Sequence, residues 1–124
     1  MSIVAQQLEA IQEEYPAATA DLLPDGTSLV AVPGVVLPSG WNQTVTTIQY
    51  IVPVGYPAAR PDCFWADASL RLASGAVPQN AQVQTPSFGG PTRLWFSWHV
   101  AAWGNRDTLK TYLRTVLVRL AMLQ

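Results

Sequence analysis

Two stretches of the chain hold side chains able to do covalent or acid–base chemistry. The segment Leu94-Trp-Phe-Ser-Trp-His-Val100 places Ser97 two residues before His99, the chain's single histidine. The segment Gly55-Tyr-Pro-Ala-Ala-Arg-Pro-Asp-Cys-Phe-Trp65 holds Cys63, its single cysteine. A thiol is partly ionised near neutrality and intrinsically nucleophilic, whereas a hydroxyl needs an adjacent base. His99 can be that base for Ser97, because residues two apart on a strand lie on one face. Cys63 is the alternative nucleophile, but Asp62 beside it disfavours a thiolate, and Phe64 and Trp65 point to packing. On that reading Cys63 is mostly buried and dispensable. One histidine excludes a histidine metal cluster, and no Cys or Asp/Glu spacing replaces one, so no metal site is expected.

Positioning these residues is the task of the flanking elements. Leu94, Phe96, Trp98 and Val100 alternate with Trp95, Ser97 and His99, which predicts a half-buried strand with its apolar set in the core. Leu8, Ile11 and Tyr15 recur at helical spacing until Pro16, which predicts an amphipathic helix over residues 3–15. A Pro-Asp-Gly turn at 24–26 leads into a β-rich run. In Thr44-Val-Thr-Thr-Ile-Gln-Tyr-Ile-Val-Pro-Val54, the residues Ile48, Tyr50, Val52 and Val54 take one face and Thr47, Gln49 and Ile51 the other. Pro53 marks a strand end or an edge. Residues 74–92 are rich in Gly, Pro, Ser, Asn and Gln and predict a long loop. Near the C-terminus, Asp107 is the expected N-cap of a helix that buries Leu109, Leu113, Val116, Leu117 and Leu120, with Lys110, Arg114 and Arg119 mostly off that face. Ile48, Tyr50, Val52, Leu94, Phe96, Trp98, Leu113, Val116 and Leu117 should share one core.

Composition narrows the classes of function. The chain has 124 residues, 49% of them hydrophobic and 12% charged, which predicts one ordered domain over 1–124. Seven Lys and Arg scattered along a chain of net charge −1 offer no basic stripe, so nucleic acid is not an expected partner. The N-terminal residues lack the pattern of a signal peptide, and no apolar run is long enough to span a bilayer. With one cysteine, this predicts a cytoplasmic protein without membrane contact. Trp95, Trp98 and Trp103 suit a core, but Trp95 on the Ser97 side is expected to mark an interface.

The order of these parts resembles the ubiquitin-conjugating enzymes, and more closely their bacterial relatives of the prokaryotic family E type. Two motifs carry the resemblance. Val54-Gly-Tyr-Pro-Ala-Ala-Arg-Pro61 is similar to the family's strand ending in Tyr-Pro before a Pro-containing turn. Trp103-Gly-Asn-Arg-Asp-Thr108, followed by an amphipathic helix, is similar to its Trp-Ser-Pro-x-x-Thr segment. The fold so implied is α+β: an N-terminal helix, a four-stranded antiparallel meander, a long active-site loop and a C-terminal helix.

This chain departs from that pattern at the chemistry. No cysteine occurs in Trp95–His99, where the family carries its acyl group, and Cys63 comes far earlier. The family's His-Pro-Asn is absent, and Asn80 is the nearest polar substitute for its asparagine. The resemblance therefore implies Ser97 as acyl carrier, assisted by His99, with Trp95 and Trp103 as partner-binding residues. It implies a transferase that accepts the C-terminus of a ubiquitin-like protein as an oxyester and passes it to an amine. The implied partners are a ThiF-like activating enzyme and a JAB-type peptidase in a bacterial pathway. No cofactor is implied, since the activating partner uses ATP. The alternative is a non-catalytic module of the same fold that binds the ubiquitin-like protein or the activating enzyme. A β-rich hydrolase using Ser97 and His99 is a third reading, but it lacks a nucleophile-elbow motif and a third triad member.

Overall fold

The computed structural model describes residues 2–124. Its elements run α1 (Ile3–Gln12), β1 (Thr19–Leu22), β2 (Ser28–Val36), β3 (Val45–Val52), β4 (Phe64–Ala66), β5 (Ala81–Gln84), β6 (Arg93–Phe96) and α2 (Leu109–Ala121). The architecture is α+β, as the sequence predicts. The sheet, however, has six strands in the order β1-β2-β3-β4-β6-β5, not four. Every pairing is antiparallel. Two strands escape the sequence pattern because they are too short to show a period. β4 is three buried residues, Phe64–Ala66. β5, Ala-Gln-Val-Gln, lies inside the stretch expected to be one long loop and divides it.

The hairpin between β1 and β2 closes at the predicted turn, with the Leu23 N–H donating to the Thr27 carbonyl at 2.8 Å and Gly26 at φ +88°. That left-handed conformation suits glycine. β2 changes register between Val32 and Val35, where Pro33 and Gly34 interrupt the ladder. α1 starts at Ser2, whose hydroxyl accepts from the Ala5 N–H at 3.1 Å, and ends at Gln12 rather than at residue 15. Pro16 disfavours helical backbone at the residue before it, so the last turn is a looser one. The Tyr15 N–H still bonds the Ile11 carbonyl at 2.8 Å.

The core lies between one face of the sheet and the two helices. Ile48, Tyr50, Val52, Leu94, Phe96, Leu113 and Val116 are buried in it, with Trp98 and Leu117 partly buried against it. This is the predicted set, while Val54, expected on the same face of the strand, lies beyond the end of β3 and turns out to solvent. Several polar groups at the core boundary are paired, as burial favours. The Tyr50 hydroxyl donates to the Leu109 carbonyl at 3.1 Å, and the Trp41 indole donates to the Leu120 carbonyl at 2.8 Å. Gln7 Oε1 accepts from the Leu109 N–H at 3.0 Å and from the Tyr56 hydroxyl, tying α1, the Tyr-Pro turn and the start of α2 together.

Two expectations for α2 are corrected. Its N-cap is Thr108, in a reciprocal capping box with Thr111, while the Asp107 carboxylate accepts from the Gly104 N–H at 2.7 Å. Thr108 wins because its backbone is extended, with φ −136° and ψ 176°, as an N-cap requires. The second correction is Arg119, which is 1% exposed instead of lying off the apolar face. Its guanidinium lies 5.2 Å from the Phe96 ring centre and 5.3 Å from that of Trp98. The aromatic pair supplies a surface on which a planar cation can stack.

Candidate functional site

Strand register assembles the site at one end of the sheet. Phe96 ends β6 and pairs with Phe64, which starts β4, and with Ala81, which starts β5. One step beyond that row, Ser97 therefore has Cys63 on one side and Asn80 on the other. Backbone hydrogen bonds hold this outer row. The Ser97 N–H donates to the Asn80 carbonyl at 2.7 Å, and the Cys63 N–H donates to the Trp98 carbonyl at 3.0 Å. Regular strand pairing stops at Phe96, so the strand predicted through Val100 is shorter. Cys63 and Asn80 both break it by adopting left-handed backbone, at φ 62° and 60°. Non-glycine residues reach that region at a cost in energy, and it clusters at functional sites.

Ser97 and His99 line one open cleft of about 310 Å³ together with Asn80 and Trp98. His99 Nδ1 meets Asp62 Oδ1 at 2.5 Å. A carboxylate can only accept, so His99 donates from Nδ1, and in a neutral ring so held Nε2 is the acceptor. That neutral tautomer is the one in which Nε2 is free to accept a proton. Asp62 and His99 are 52% and 62% exposed, so the pair opens to solvent.

Cys63 is half-buried, less than its aromatic neighbours suggest. Burial pushes its thiol pKa up and the Asp62 charge adds to this, against hydrogen bonds with the Trp98 main chain and the Ser97 side chain. The thiol is thus biased toward its protonated form. Its carbonyl accepts the Tyr112 hydroxyl at 2.6 Å, which fixes the segment to α2.

The two tryptophans singled out as partner-binding residues lie outside this cleft. Trp95 is half-buried, with its ring centre 6.4 Å from that of Trp65. Trp103 donates from its indole to the Pro57 carbonyl at 2.9 Å and packs on Tyr56 at 6.1 Å. With Pro57, Ala58, Gly104 and Asn105 it lines a separate cleft of about 400 Å³. The two sequence motifs, far apart in the chain, therefore meet at Trp103 and Pro57.

Sequence reasoning missed two participants. Asp62 is the partner of His99 from 37 residues away, and only its place beside Cys63 hinted at a role. Arg119 donates through Nη2 to the Gln79 carbonyl at 2.7 Å and so pins the residue before Asn80, while Phe96 and Trp98 on either side of Ser97 pack on the same guanidinium. No spacing in α2 announces this contact.

Among the described residues no helix is long and apolar enough to cross a membrane. No curated protein and no solved structure matches the chain. Residues 13–122 match the family described as Prokaryotic E2 family E, which covers both motifs and every residue of the cleft, and the chain belongs to that family.

Proposed function

We propose that the protein is an acyl carrier in the conjugation of a ubiquitin-like protein, with Ser97 as the residue that accepts the C-terminal acyl group. Membership of a prokaryotic E2 family supports the pathway. The observation that carries the assignment is the row Cys63–Ser97–Asn80 at the sheet end, with His99 in the same cleft and held by Asp62. In the first step the Ser97 Oγ attacks the activated carbonyl carbon delivered by a ThiF-like activating enzyme. Its proton passes to His99 Nε2, and the tetrahedral oxyanion is met by a donor such as the Asn80 amide. Collapse expels the activating enzyme's thiolate, which takes the proton from the imidazolium, and leaves an oxyester. In the second step an amine attacks that ester, His99 takes the amine's proton and hands it to Ser97, which departs as the alcohol. An oxyester is less activated than a thioester, so the second step is slow until a partner completes the site. A JAB-type peptidase acting on the conjugate belongs to the same reading.

Cys63 is a second acceptor, favoured by the proximity of its sulfur to His99 and Asp62, all three donor atoms lying within 4.8 Å. Against it, the thiol pKa is raised, and Cys63 does not line the open cleft.

The test combines the activating enzyme, the ubiquitin-like protein, ATP and this chain. An adduct that survives reducing agent but is cleaved by hydroxylamine supports Ser97. Ser97→Cys should turn it into a reductant-sensitive one. A reductant-sensitive adduct on the wild type assigns Cys63 instead. Stable binding of either partner without any adduct overturns the acyl-carrier reading and leaves a non-catalytic binding module.

A further inference from the structure

We propose that Asp62, Cys63 and His99 form a binding site for a divalent transition-metal ion of the zinc class. One carboxylate oxygen, one sulfur and one ring nitrogen lie within 4.8 Å of one another, although His99 is 37 residues from Asp62 in the chain. This reverses the expectation from sequence, which found no metal-ligand spacing. The neighbouring positions Asp62 and Cys63 supply two donors, and strand pairing brings in the third.

The backbone around these donors is already fixed. Cys63 is held by its N–H to the Trp98 carbonyl at 3.0 Å and by its carbonyl to the Tyr112 hydroxyl at 2.6 Å. Trp98, the residue before His99, is packed on Arg119 at 5.3 Å. An ion therefore meets two anchored segments rather than a mobile loop. Asp62 and His99 are more than half exposed, so an ion has a path in and a water has a place on it.

The donor set selects the metal. Thiolate with imidazole and carboxylate suits borderline-soft zinc, whereas magnesium and calcium take oxygen donors. Metal–ligand bonds of about 2.0–2.3 Å in a tetrahedron put donors about 3.3–3.8 Å apart, so the Asp62–His99 pair at 2.5 Å opens while the wider separations within 4.8 Å draw in, which rotation of the exposed Asp62 and His99 side chains supplies. On binding, the thiol releases its proton to solvent. The imidazole ligates through Nδ1, whose proton passes to Nε2, and the hydrogen bond to Asp62 is replaced by two bonds to the ion. Three protein ligands leave a fourth position for water. The inference does not rest on the acyl-transfer reading, and the ion-bound state, with its ring proton on Nε2, is one in which His99 is no base for Ser97.

Cobalt(II) is the probe, added alone to the full chain under anaerobic conditions. The expected result is one equivalent bound, with a near-ultraviolet thiolate charge-transfer band and visible bands of tetrahedral intensity. Zinc should bleach them and magnesium should not. Cys63→Ser should abolish the charge-transfer band. Asp62→Asn and His99→Gln should each weaken binding on the order of ten-fold or more. Should Cys63→Ser fail to fold, protection of wild-type Cys63 from iodoacetamide by one equivalent of zinc gives the same answer. A wild type without the charge-transfer band or without zinc protection overturns the proposal, as does a folded Cys63→Ser that binds cobalt unchanged.

Discussion

Replacing Arg119 tests how the C-terminal helix supports the site. The side chain is 1% exposed, and none of its hydrogen-bond partners is a carboxylate side chain. It donates to the Gln79 carbonyl and to the main-chain oxygen of Gln124, the last residue of the sequence, each at 2.7 Å, and its Nη1 is buried without a partner. Burial accordingly holds the guanidinium pKa below its ordinary value. Two hydrogen bonds to a charged group contribute about 1.5–3 kcal/mol each. The two aromatic contacts add about 0.5–2 kcal/mol each. Against these stands a desolvation penalty of several kcal/mol for a buried cation. The opposing terms leave Arg119→Ala destabilising by about 2–4 kcal/mol, mostly through the cavity and the orphaned Gln79 carbonyl. Arg119→Met keeps the stem packed on Phe96 and Trp98 and removes the charge, so its cost should be about 1 kcal/mol. Equilibrium urea unfolding followed by tryptophan fluorescence measures both. An alanine variant within about 0.5 kcal/mol of wild type would refute the reasoning, since that is the range of an ordinary surface change.

The other expectations are more local. Asp62→Asn leaves His99 Nδ1 without its carboxylate and should slow adduct formation at least about ten-fold with little change in unfolding midpoint, measured by single-turnover kinetics. Thr108→Ala removes the α2 cap and should cost about 1 kcal/mol, read by the same urea titration. Burial raises the pKa of Tyr50, Tyr112 and Tyr56, the last to about 12, from an ordinary 10.0. A phenol held neutral in the fold contributes stability below the ordinary value and loses it as pH rises toward the folded one. Stability should therefore fall from about pH 10 upward, and Tyr112→Phe should flatten that decline in pH-dependent unfolding.

What was legible in the sequence was whatever repeats with a period. Ile48, Tyr50 and Val52 alternate over eight residues of β3 and gave their face correctly. The thirteen residues of α2 did the same for Leu113 and Val116. β4 and β5, at three and four residues, span no more than two full alternations, and pairing with β6 rather than local propensity makes them strands. The site was half legible for the same reason. Ser97 and His99 stand two residues apart and could be read together, whereas Asp62, Cys63 and Asn80 join them only through the register of β4 and β5 against β6. Arg119 was placed off the apolar face because a guanidinium is ordinarily solvated. The flat rings of Phe96 and Trp98 that cover it lie on another element.

The central claim is that Ser97 is the atom-level acceptor, and locating the adduct tests it most directly. The reaction with activating enzyme, ubiquitin-like protein and ATP is quenched in acid, digested and mapped by mass spectrometry. The account predicts the C-terminal remnant of the ubiquitin-like protein on the oxygen of Ser97, lost after hydroxylamine and absent from Ser97→Ala. A remnant on Cys63 or on a lysine, or an undiminished adduct in Ser97→Ala, would contradict it.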